Sequence, residues 1–297
     1  MRSTPPSRCT PPPARAWAFP TTSKKKKKAA RAKRRLLPSA FCLLLFACAQ
    51  PEHAPNQVRR VVTLAPNVTE MVFALGCGSK IVGTDNFSDY PDDVKRLPRV
   101  GGVEPDIEKI VALHPDLVIA SASNAHPNLR RALTAAHLPL MVIKTDRLAE
   151  IETSMRDIER ALGCPHAPAV APALESQRRK RGKSPRVLFA VWTNPLYVAG
   201  TRSFVDDLFT LTGARNAVDA PGWPQYSLEA FAAHPPDLLL YPARSVKVEA
   251  VDDLLRRANV NVDAVAIDEN LFTRPGPRMP GAAAELNRIL DQWESAH

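Results

Sequence analysis

Aromatic side chains concentrate in three short segments of the sequence, which read NFSDYP, VWTNPLY and GWPQYS. The rings in these segments are Phe87, Tyr90, Trp192, Tyr197, Trp223 and Tyr226. Aromatic rings offer rigid apolar surface, so rings that share one cleft can stack against a large planar ligand. The alternative is that each ring packs beneath its own loop. Several of these rings sit in loops after predicted strands, where open α/β sheets bind their ligands, so the sequence favours a shared cleft.

The sequence also contains an internal repeat with an acidic residue at the same position of each copy. IEKIVALHPDLVIA at 107–120 aligns without a gap with LEAFAAHPPDLLLY at 228–241. The second position of each copy is a glutamate, Glu108 or Glu229. The helix dipole favours a carboxylate near a helix N-terminus, and this alone would explain either glutamate. The matched register of the two copies instead indicates a role that both glutamates share.

No sequence pattern points to catalysis or to a metal site. Gly-rich phosphate loops, Ser-His-Asp arrangements and clustered carboxylates are absent from the sequence. The seven histidines are scattered, and no pair of them has the HxxxH spacing of a metal site. We therefore predict a protein that is not an enzyme and that has no resident cofactor or metal.

The elements that must position these residues alternate between strands and helices. Apolar and β-branched runs predict strands at 58–64, 81–84, 117–120, 140–144, 186–191, 238–241 and 265–267. Apolar periodicity predicts helices at 71–75, 106–113, 128–137, 203–212, 228–234 and 281–294. This alternation predicts an α/β fold with two doubly wound, Rossmann-like lobes, one at 58–146 and the other at 186–297.

The segment between the predicted lobes, 147–185, has the pattern of a helical connector. Apolar residues recur at helical spacing from 148 to 162, and Gly163 ends the pattern. A polar helix is predicted at 171–182, ending in the basic run RRKRGK. Pro168 and Pro172 interrupt the connector, and proline is tolerated only in the first turn of a helix. A long unbroken backbone helix should therefore begin after about Pro172.

The positive charge of the chain is confined to its beginning. The chain has a net charge of +10, from 40 Lys and Arg against 30 Asp and Glu. Residues 1–35 hold 12 of the basic residues and no acidic ones, so the rest of the chain carries 28 basic residues and a net charge of −2. No basic stripe with interleaved aromatics remains there, and we predict no nucleic-acid partner.

Residues 1–49 have the pattern of an export signal. The basic run KKKKKAARAKRR precedes the apolar run LLPSAFCLLLFACAQ, which is too short to span a membrane comfortably. LFAC predicts a lipoprotein signal in which Cys48 is lipidated, whereas ACA offers ordinary cleavage before Gln50. We expect a periplasmic protein, attached to a bacterial membrane only through a lipid on Cys48.

Two cysteines, Cys77 and Cys164, lie beyond this leader. They form no CxxC motif of the kind that binds metal or performs redox chemistry. An exported compartment permits a disulfide, but the spacing leaves open whether these two cysteines pair.

The chain from about residue 58 to 295 resembles the periplasmic substrate-binding proteins of ATP-driven (ABC) importers, whose two lobes are joined by a single backbone helix (the class III fold). The resemblance is carried, in order, by RVVTLAPNVTE, FSDYP, IEKIVALHPDLVIA, NPLYVAG, WPQYSLE and PGPR. FSDYP and the WPQ-S-E pattern are most similar to members that bind vitamin B12 (cobalamin). The resemblance implies a monomer that binds a corrinoid as cargo and delivers it to the permease dimer and ATPase of an importer.

The same resemblance implies roles for individual residues. Glu108 and Glu229 would dock on the permease, one glutamate from each lobe, and so report the relative placement of the lobes. Phe87, Tyr197 and Trp223 would stack against the corrin ring or its nucleotide tail. The predicted ligand-binding residues are Phe87, Tyr90, Ser121, Tyr197, Trp223 and Arg278. The sequence departs from the B12-binding members at VGGVEPD and at Ser121, where they have tryptophans.

Four other functions remain open at this level. A receptor of the same fold for a ferric siderophore would use arginines such as Arg274 and Arg278, and a haem receptor would use Tyr90, Tyr197 or Tyr226. An enzyme such as a metal chelatase can be built on similar lobes, but it needs a base or metal ligands in its pocket. An adhesin or signalling protein without a small ligand would have a closed cleft.

Overall fold

The computed structural model describes residues 57–165 and 169–297. The predicted export signal at 1–49, including Cys48, lies outside the described residues. Among the helices that the structure describes, none combines the length and the apolarity needed to cross a membrane.

The N-terminal lobe is built on a parallel four-stranded sheet. Its strands are β1 (Val61–Thr63), β2 (Ile81–Thr84), β3 (Leu117–Ser121) and β4 (Leu140–Ile143), in the order β2-β1-β3-β4. The helices between them are α1 (Pro66–Ala74), α2 (Ile107–Ala112) and α3 (Pro127–Ala135). Alternate residues of the strands enter different cores, since Val61 and Ile119 face one core and Val62 and Val118 face another. Helices therefore cover both faces of the sheet, as a buried parallel sheet requires.

The connector begins with the helix that the sequence predicts at 148–162, but the rest of it differs from the prediction. The long helix is α4 (Leu148–Leu162), followed by a short α5 (Val170–Glu175) that holds Pro172 in its first turn. The polar helix predicted at 171–182 and a long helix after Pro172 were therefore wrong. The physical reason is Arg181, whose guanidinium donates to Thr212 O at 2.8 Å and to Asp291 Oδ1 at 2.6 Å. These bonds hold the basic run against the C-terminal lobe in a non-helical conformation.

The C-terminal lobe repeats the plan around a mixed sheet. Its strands are β5 (Arg186–Thr193), β6 (Leu196–Val198), β7 (Arg215–Asn216), β8 (Leu238–Pro242) and β9 (Asp263–Ile267), in the order β6-β5-β8-β9 with β7 also on β5. Only β6 runs antiparallel to its neighbour. The helices are α6 (Phe204–Thr212), α7 (Leu228–Ala233), α8 (Val248–Ala258), α9 (Glu269–Phe272) and α10 (Met279–Ala296). Four of these elements, β6, β7, α8 and α9, are not predicted by the sequence pattern.

One hydrophobic core runs through both lobes. It joins Val61 and Met71 of the first lobe, Ile158 of α4, and Phe189 and Leu286 of the second lobe, all of them buried. Each sheet also has a second, separate core on its other face. The shared core couples the lobes through tightly packed side chains, so large independent motion of one lobe would expose apolar surface.

Cys77 and Cys164 form a disulfide, with their Cα atoms 5.7 Å apart. The bond joins the turn after α1 to the end of α4 and so ties the first lobe to the connector. The pairing that the spacing left open is thus made in the structure. Both cysteines are buried beside the shared core.

The internal repeat has a structural role in both lobes. The Asp116 carboxylate accepts the backbone N–H groups of Arg59 and Arg60 at 2.8 and 2.9 Å, at the beginning of β1. The Asp237 carboxylate accepts the backbone N–H of Arg186 at 2.7 Å, at the beginning of β5. The aspartate of each Pro-Asp-Leu thus holds the beginning of the neighbouring central strand next to its own strand.

Candidate ligand-binding cleft

A cavity of about 750 Å³ lies between the two lobes. Its walls are the loops that follow the carboxyl ends of strands in both sheets. Asn67 follows β1, Phe87 follows β2, Asn124 follows β3, and on the other side Arg244 follows β8 and Asn270 follows β9. This edge is where open α/β sheets bind ligands, because the loops there are free to vary.

Phe87 is presented to the cleft by the loop after β2. The Asp85 carboxylate accepts the backbone N–H of Phe87 at 2.7 Å, which fixes the turn. The ring lies over Gly102, where a Cβ atom would come within 3.3 Å of two ring carbons. The Phe87 side chain is still 56% exposed, an unusual state for a phenylalanine that is held in place from two sides.

Trp223 lies on the opposite wall, packed on Phe204 with the ring centroids 5.5 Å apart. Its loop approaches Gly200 so closely that a Cβ atom there would lie 1.8 Å from the carbonyl oxygen of Ala220. Glycine is therefore required at position 200. Two aromatic surfaces, one from each lobe, thus face the same cavity.

The predicted ligand-binding residues divide into two groups. Phe87, Ser121 and Trp223 line the cleft, whereas Tyr90, Tyr197 and Arg278 are not among its lining residues. The Tyr90 ring lies beneath the Arg278 guanidinium, 4.5 Å from it. Tyr197 is on β6, paired with Trp192 on β5, and both rings are exposed.

An ion-pair network beside the cleft connects the two lobes. The buried Glu70 of α1 accepts two hydrogen bonds from Arg278, at 2.6 and 2.8 Å, and one from Arg274 at 3.2 Å. Arg274 also donates to Asp89 at 2.5 Å, and Arg244 lies 3.5 Å from the other oxygen of Asp89. The acids belong to the first lobe and the arginines to the second, so the network holds the lobes together.

This network shifts the pKa values of two of its members, Asp89 and Arg274. Burial opposes the charge of Asp89, but the hydrogen bonds and charges of Arg274 and Arg244 outweigh it and hold the pKa of Asp89 below its ordinary value. Burial also opposes the charge of Arg274, yet its contacts with Asp89 and Glu70 raise the pKa of Arg274. The cleft wall therefore carries charged groups, and two of them, Asp89 and Arg274, are paired with each other.

Most of the remaining lining is neutral and polar. It consists of carboxamide and hydroxyl side chains: Asn67, Asn86, Asn124, Asn270, Ser121, Ser123, Ser245, Thr145 and Thr273. None of the described residues that line the cleft is a Tyr, His, Met or Cys. Within residues 57–165 and 169–297, no group of three or more His, Cys, Asp and Glu side chains is placed to hold a metal ion. The lining suits a large, mostly neutral ligand with hydrogen-bonding groups at its periphery.

Most of this polar lining is not predicted by the sequence pattern. The residues that were not predicted to bind a ligand include Asn67, Asn124, Phe204 and Arg244. Their position in the sequence could have identified three of them, because Asn67, Asn124 and Arg244 each fall within a few residues of a strand's carboxyl end. Short polar residues are common in every loop, so residue type alone does not mark them.

Glu108 and Glu229 occupy equivalent, exposed positions in the first turns of α2 and α7. The N-caps are also equivalent, since Asp106 accepts Lys109 N–H at 3.1 Å and Ser227 accepts Ala230 N–H at 3.0 Å. Both helices lead back to the beginning of a parallel strand, so their first turns lie at the carboxyl edge of the sheet. Neither glutamate makes an ion pair with a described residue.

Two doubly wound lobes with a helical connector and a ligand cleft between them define a class III binding protein. The chain belongs to the Periplasmic binding protein family, which matches residues 61–269. Members of this family are transport receptors and not enzymes. The predicted fold class is confirmed.

The chain is similar to relatives that are named for different ligands. The chain is 27% identical over 241 residues to the vitamin B12-binding protein of Pectobacterium carotovorum, covering 77% of this chain and 87% of that one. It is 28% identical over 250 residues to an uncharacterised ABC transporter substrate-binding lipoprotein of Bacillus subtilis, covering 78% and 79%. A solved structure, the periplasmic haem-binding protein of Roseiflexus, aligns with a TM-score of 0.70 at 26% identity, covering 80% and 99%.

Proposed function

We propose that this protein is the exported substrate-binding receptor of an ABC importer and that it binds a corrinoid, vitamin B12 or cobinamide, between its lobes. The observation that carries the proposal is the composition of the cleft. Two exposed aromatic rings face a cavity in which carboxamide and hydroxyl side chains supply half of the other lining residues. A corrinoid is a broad ring system edged with neutral amides, so rings and hydrogen-bonding side chains both find partners on it.

A haem receptor of the same fold is the second candidate, and a haem-binding relative supports it. Haem iron needs an axial Tyr, His, Met or Cys from the protein, and the described lining of the cleft supplies none. A corrinoid brings the ligands of its own cobalt, so it needs none from the wall. The residues of the cleft therefore favour the corrinoid.

A ferric siderophore fits the charges less well. Its negative charge would need free arginines, but Arg274 and Arg278 are already paired with Glu70 and Asp89. Asp146 and Glu269 also line the cleft and would repel a polyanion. An adhesin without a small ligand would have a closed cleft, and this one has a volume of about 750 Å³.

The same proposal assigns Glu108 and Glu229 to docking on the permease dimer. They are exposed, free of ion pairs among the described residues, and placed at the same edge of the two sheets. One carboxylate on each lobe suits a partner with two basic pockets, because both contacts form only when the lobes are correctly spaced. Secretion to the periplasm as a monomer, with a lipid on Cys48, belongs to the proposal as well.

The test is a calorimetric titration of the purified protein with cyanocobalamin, cobinamide, haem and a ferric hydroxamate. We expect sub-micromolar binding of a corrinoid, weakened at least about tenfold by Trp223→Ala, because a stacked aromatic surface is lost. Trp192→Ala is the matched control, since Trp192 is similarly exposed on the same lobe but does not line the cleft. Binding of haem alone would overturn the corrinoid assignment and leave the receptor class intact.

A further inference from the structure

Arg244 is held far more loosely than the other arginines beside the cleft. Its Nη1 lies 3.5 Å from Asp89 Oδ2, whereas Arg274 contacts Oδ1 of the same carboxylate at 2.5 Å. The side chain of Arg244 is 61% exposed, against 12% for Arg274. Among the described residues, Asp89 is the only ion-pair partner of Arg244. A long contact with an acid that is already neutralised leaves most of the Arg244 charge available.

The position of Arg244 directs this charge into the cleft. The residue lies in the loop immediately after β8, next to Ser245, and both line the cavity that Trp223 and Phe87 face. The cavity's other lining arginine, Arg274, is saturated by Glu70 and Asp89. Arg244 is therefore the accessible cation among the described residues of the lining.

The acidic residues of the lining restrict where an anionic group of a ligand can lie. Asp146 and Glu269 line the cleft and would repel such a group from their own surroundings. A single accessible guanidinium matches a ligand that carries one negative charge on an otherwise neutral periphery. Arginine binds a phosphate through two parallel N–H···O bonds, which gives geometric selection as well as attraction.

We propose that Arg244 binds the phosphodiester of a corrinoid's nucleotide tail and thereby makes the cleft prefer tail-bearing corrinoids over tail-less ones. The inference rests on the proposed function and adds to it the part of the ligand that is recognised. The phosphodiester replaces the long contact with Asp89, which keeps its bond to Arg274. Corrinoids without the nucleotide tail lack this anion and gain nothing from Arg244.

The experiment compares cyanocobalamin with cobinamide, titrated by calorimetry into the wild-type protein, Arg244→Gln and Arg244→Lys. We expect Arg244→Gln to weaken cyanocobalamin binding about tenfold, the loss of one charge-assisted pair, and to leave cobinamide binding unchanged. Arg244→Lys keeps the charge but not the paired N–H groups, so it should retain part of the preference.

Arg256→Gln is the matched control for the change in net charge. Arg256 is on α8 of the same lobe, 72% exposed and paired with Asp253 away from the cleft lining. The Arg256→Gln substitution should leave the affinities for cyanocobalamin and cobinamide unchanged. Equal affinities of wild-type protein and Arg244→Gln for cyanocobalamin would overturn the role of Arg244 while the proposed function stands. A wild-type protein that binds neither corrinoid would overturn the proposed function, and the role of Arg244 with it.

Discussion

At the scale of single residues, the aromatic side chains of the cleft are held in place by contacts on the side away from the cavity. Phe87 is held by the Asp85 carboxylate and rests on Gly102, and Trp223 rests on Phe204. A ring that is positioned before the ligand arrives loses little conformational entropy on binding. The second glycine of VGGVEPD thus has a physical explanation, because Gly102 makes room for the Phe87 ring.

Glu70 is the residue on which the inter-lobe network depends most. Glu70→Gln removes the carboxylate that pairs with Arg278 and also contacts Arg274, leaving the largely buried Arg278 guanidinium without its counter-charge. We expect the free energy of unfolding to fall by about 3 kcal/mol, measured by urea denaturation.

Glu285→Gln serves as the control for Glu70→Gln. Glu285 pairs with Arg288 one turn away on α10, with both side chains substantially exposed, so its loss should cost less than about 1 kcal/mol. Equal effects of the two substitutions would contradict the assignment of Glu70 to a buried inter-lobe pair.

At the scale of elements, the repeat explains how each sheet is held in register. Asp116 and Asp237 each accept backbone N–H groups at the beginning of a neighbouring strand. Each repeat thus contributes a capped helix, a turn and a strand that is hydrogen-bonded through its aspartate to the beginning of the neighbouring strand. Because the unit is used once in each lobe, the same substitution can be compared in two settings within one molecule.

Substitution of either aspartate should lower the free energy of unfolding, and substitution of Asp116 should lower it more. Asp116→Ala loses two hydrogen bonds and Asp237→Ala loses one, so we expect losses of roughly 2 and 1 kcal/mol in the free energy of unfolding. Denaturant titration of both variants measures this order. A larger loss for Asp237→Ala would show that the count of hydrogen bonds does not govern the effect.

The pH dependence of stability follows from the same contacts. Hydrogen bonds from the backbone N–H groups of Arg59 and Arg60 hold the pKa of Asp116 below its ordinary value. A lowered folded-state pKa means that the stabilisation is complete above the unfolded pKa, about 3.9, and is lost as pH falls through the folded pKa. Asp116→Asn should therefore weaken the dependence of stability on pH below about 4, measured by thermal unfolding.

At the scale of the whole molecule, the lobes behave as one packed body. A single core includes residues of both sheets, α4 and α10, and the ion-pair network adds contacts between the lobes beside the cleft. Closing or opening the cleft widely would break both. We therefore expect ligand binding with little change in the separation of the lobes.

Loss of the disulfide should lower the stability of this whole body. Cys77 and Cys164 are 87 residues apart in sequence, so their bond restricts a long loop of the unfolded chain. The Cys77→Ser and Cys164→Ser double variant should lose about 2–4 kcal/mol in the free energy of unfolding. Thermal unfolding with and without reductant checks this, and the reductant should affect the wild-type protein only. Indifference of the wild-type protein to reductant would contradict it.

The sequence by itself determined the alternation of strands and helices, the two lobes and the positions of the cleft loops. These follow from local patterns, such as the apolar run at 117–120 and the strand-to-loop position of Phe87, that need no distant partner. Tertiary structure alone decided the non-helical path around Arg181, the pairing of Cys77 with Cys164 and the saturation of Arg274. Each depends on side chains that are far apart in sequence and come into contact only after folding. A local sequence pattern does not predict such contacts. Whether Arg244 is free or paired is a property of the same kind, because it depends on which arginine reaches Asp89 more closely.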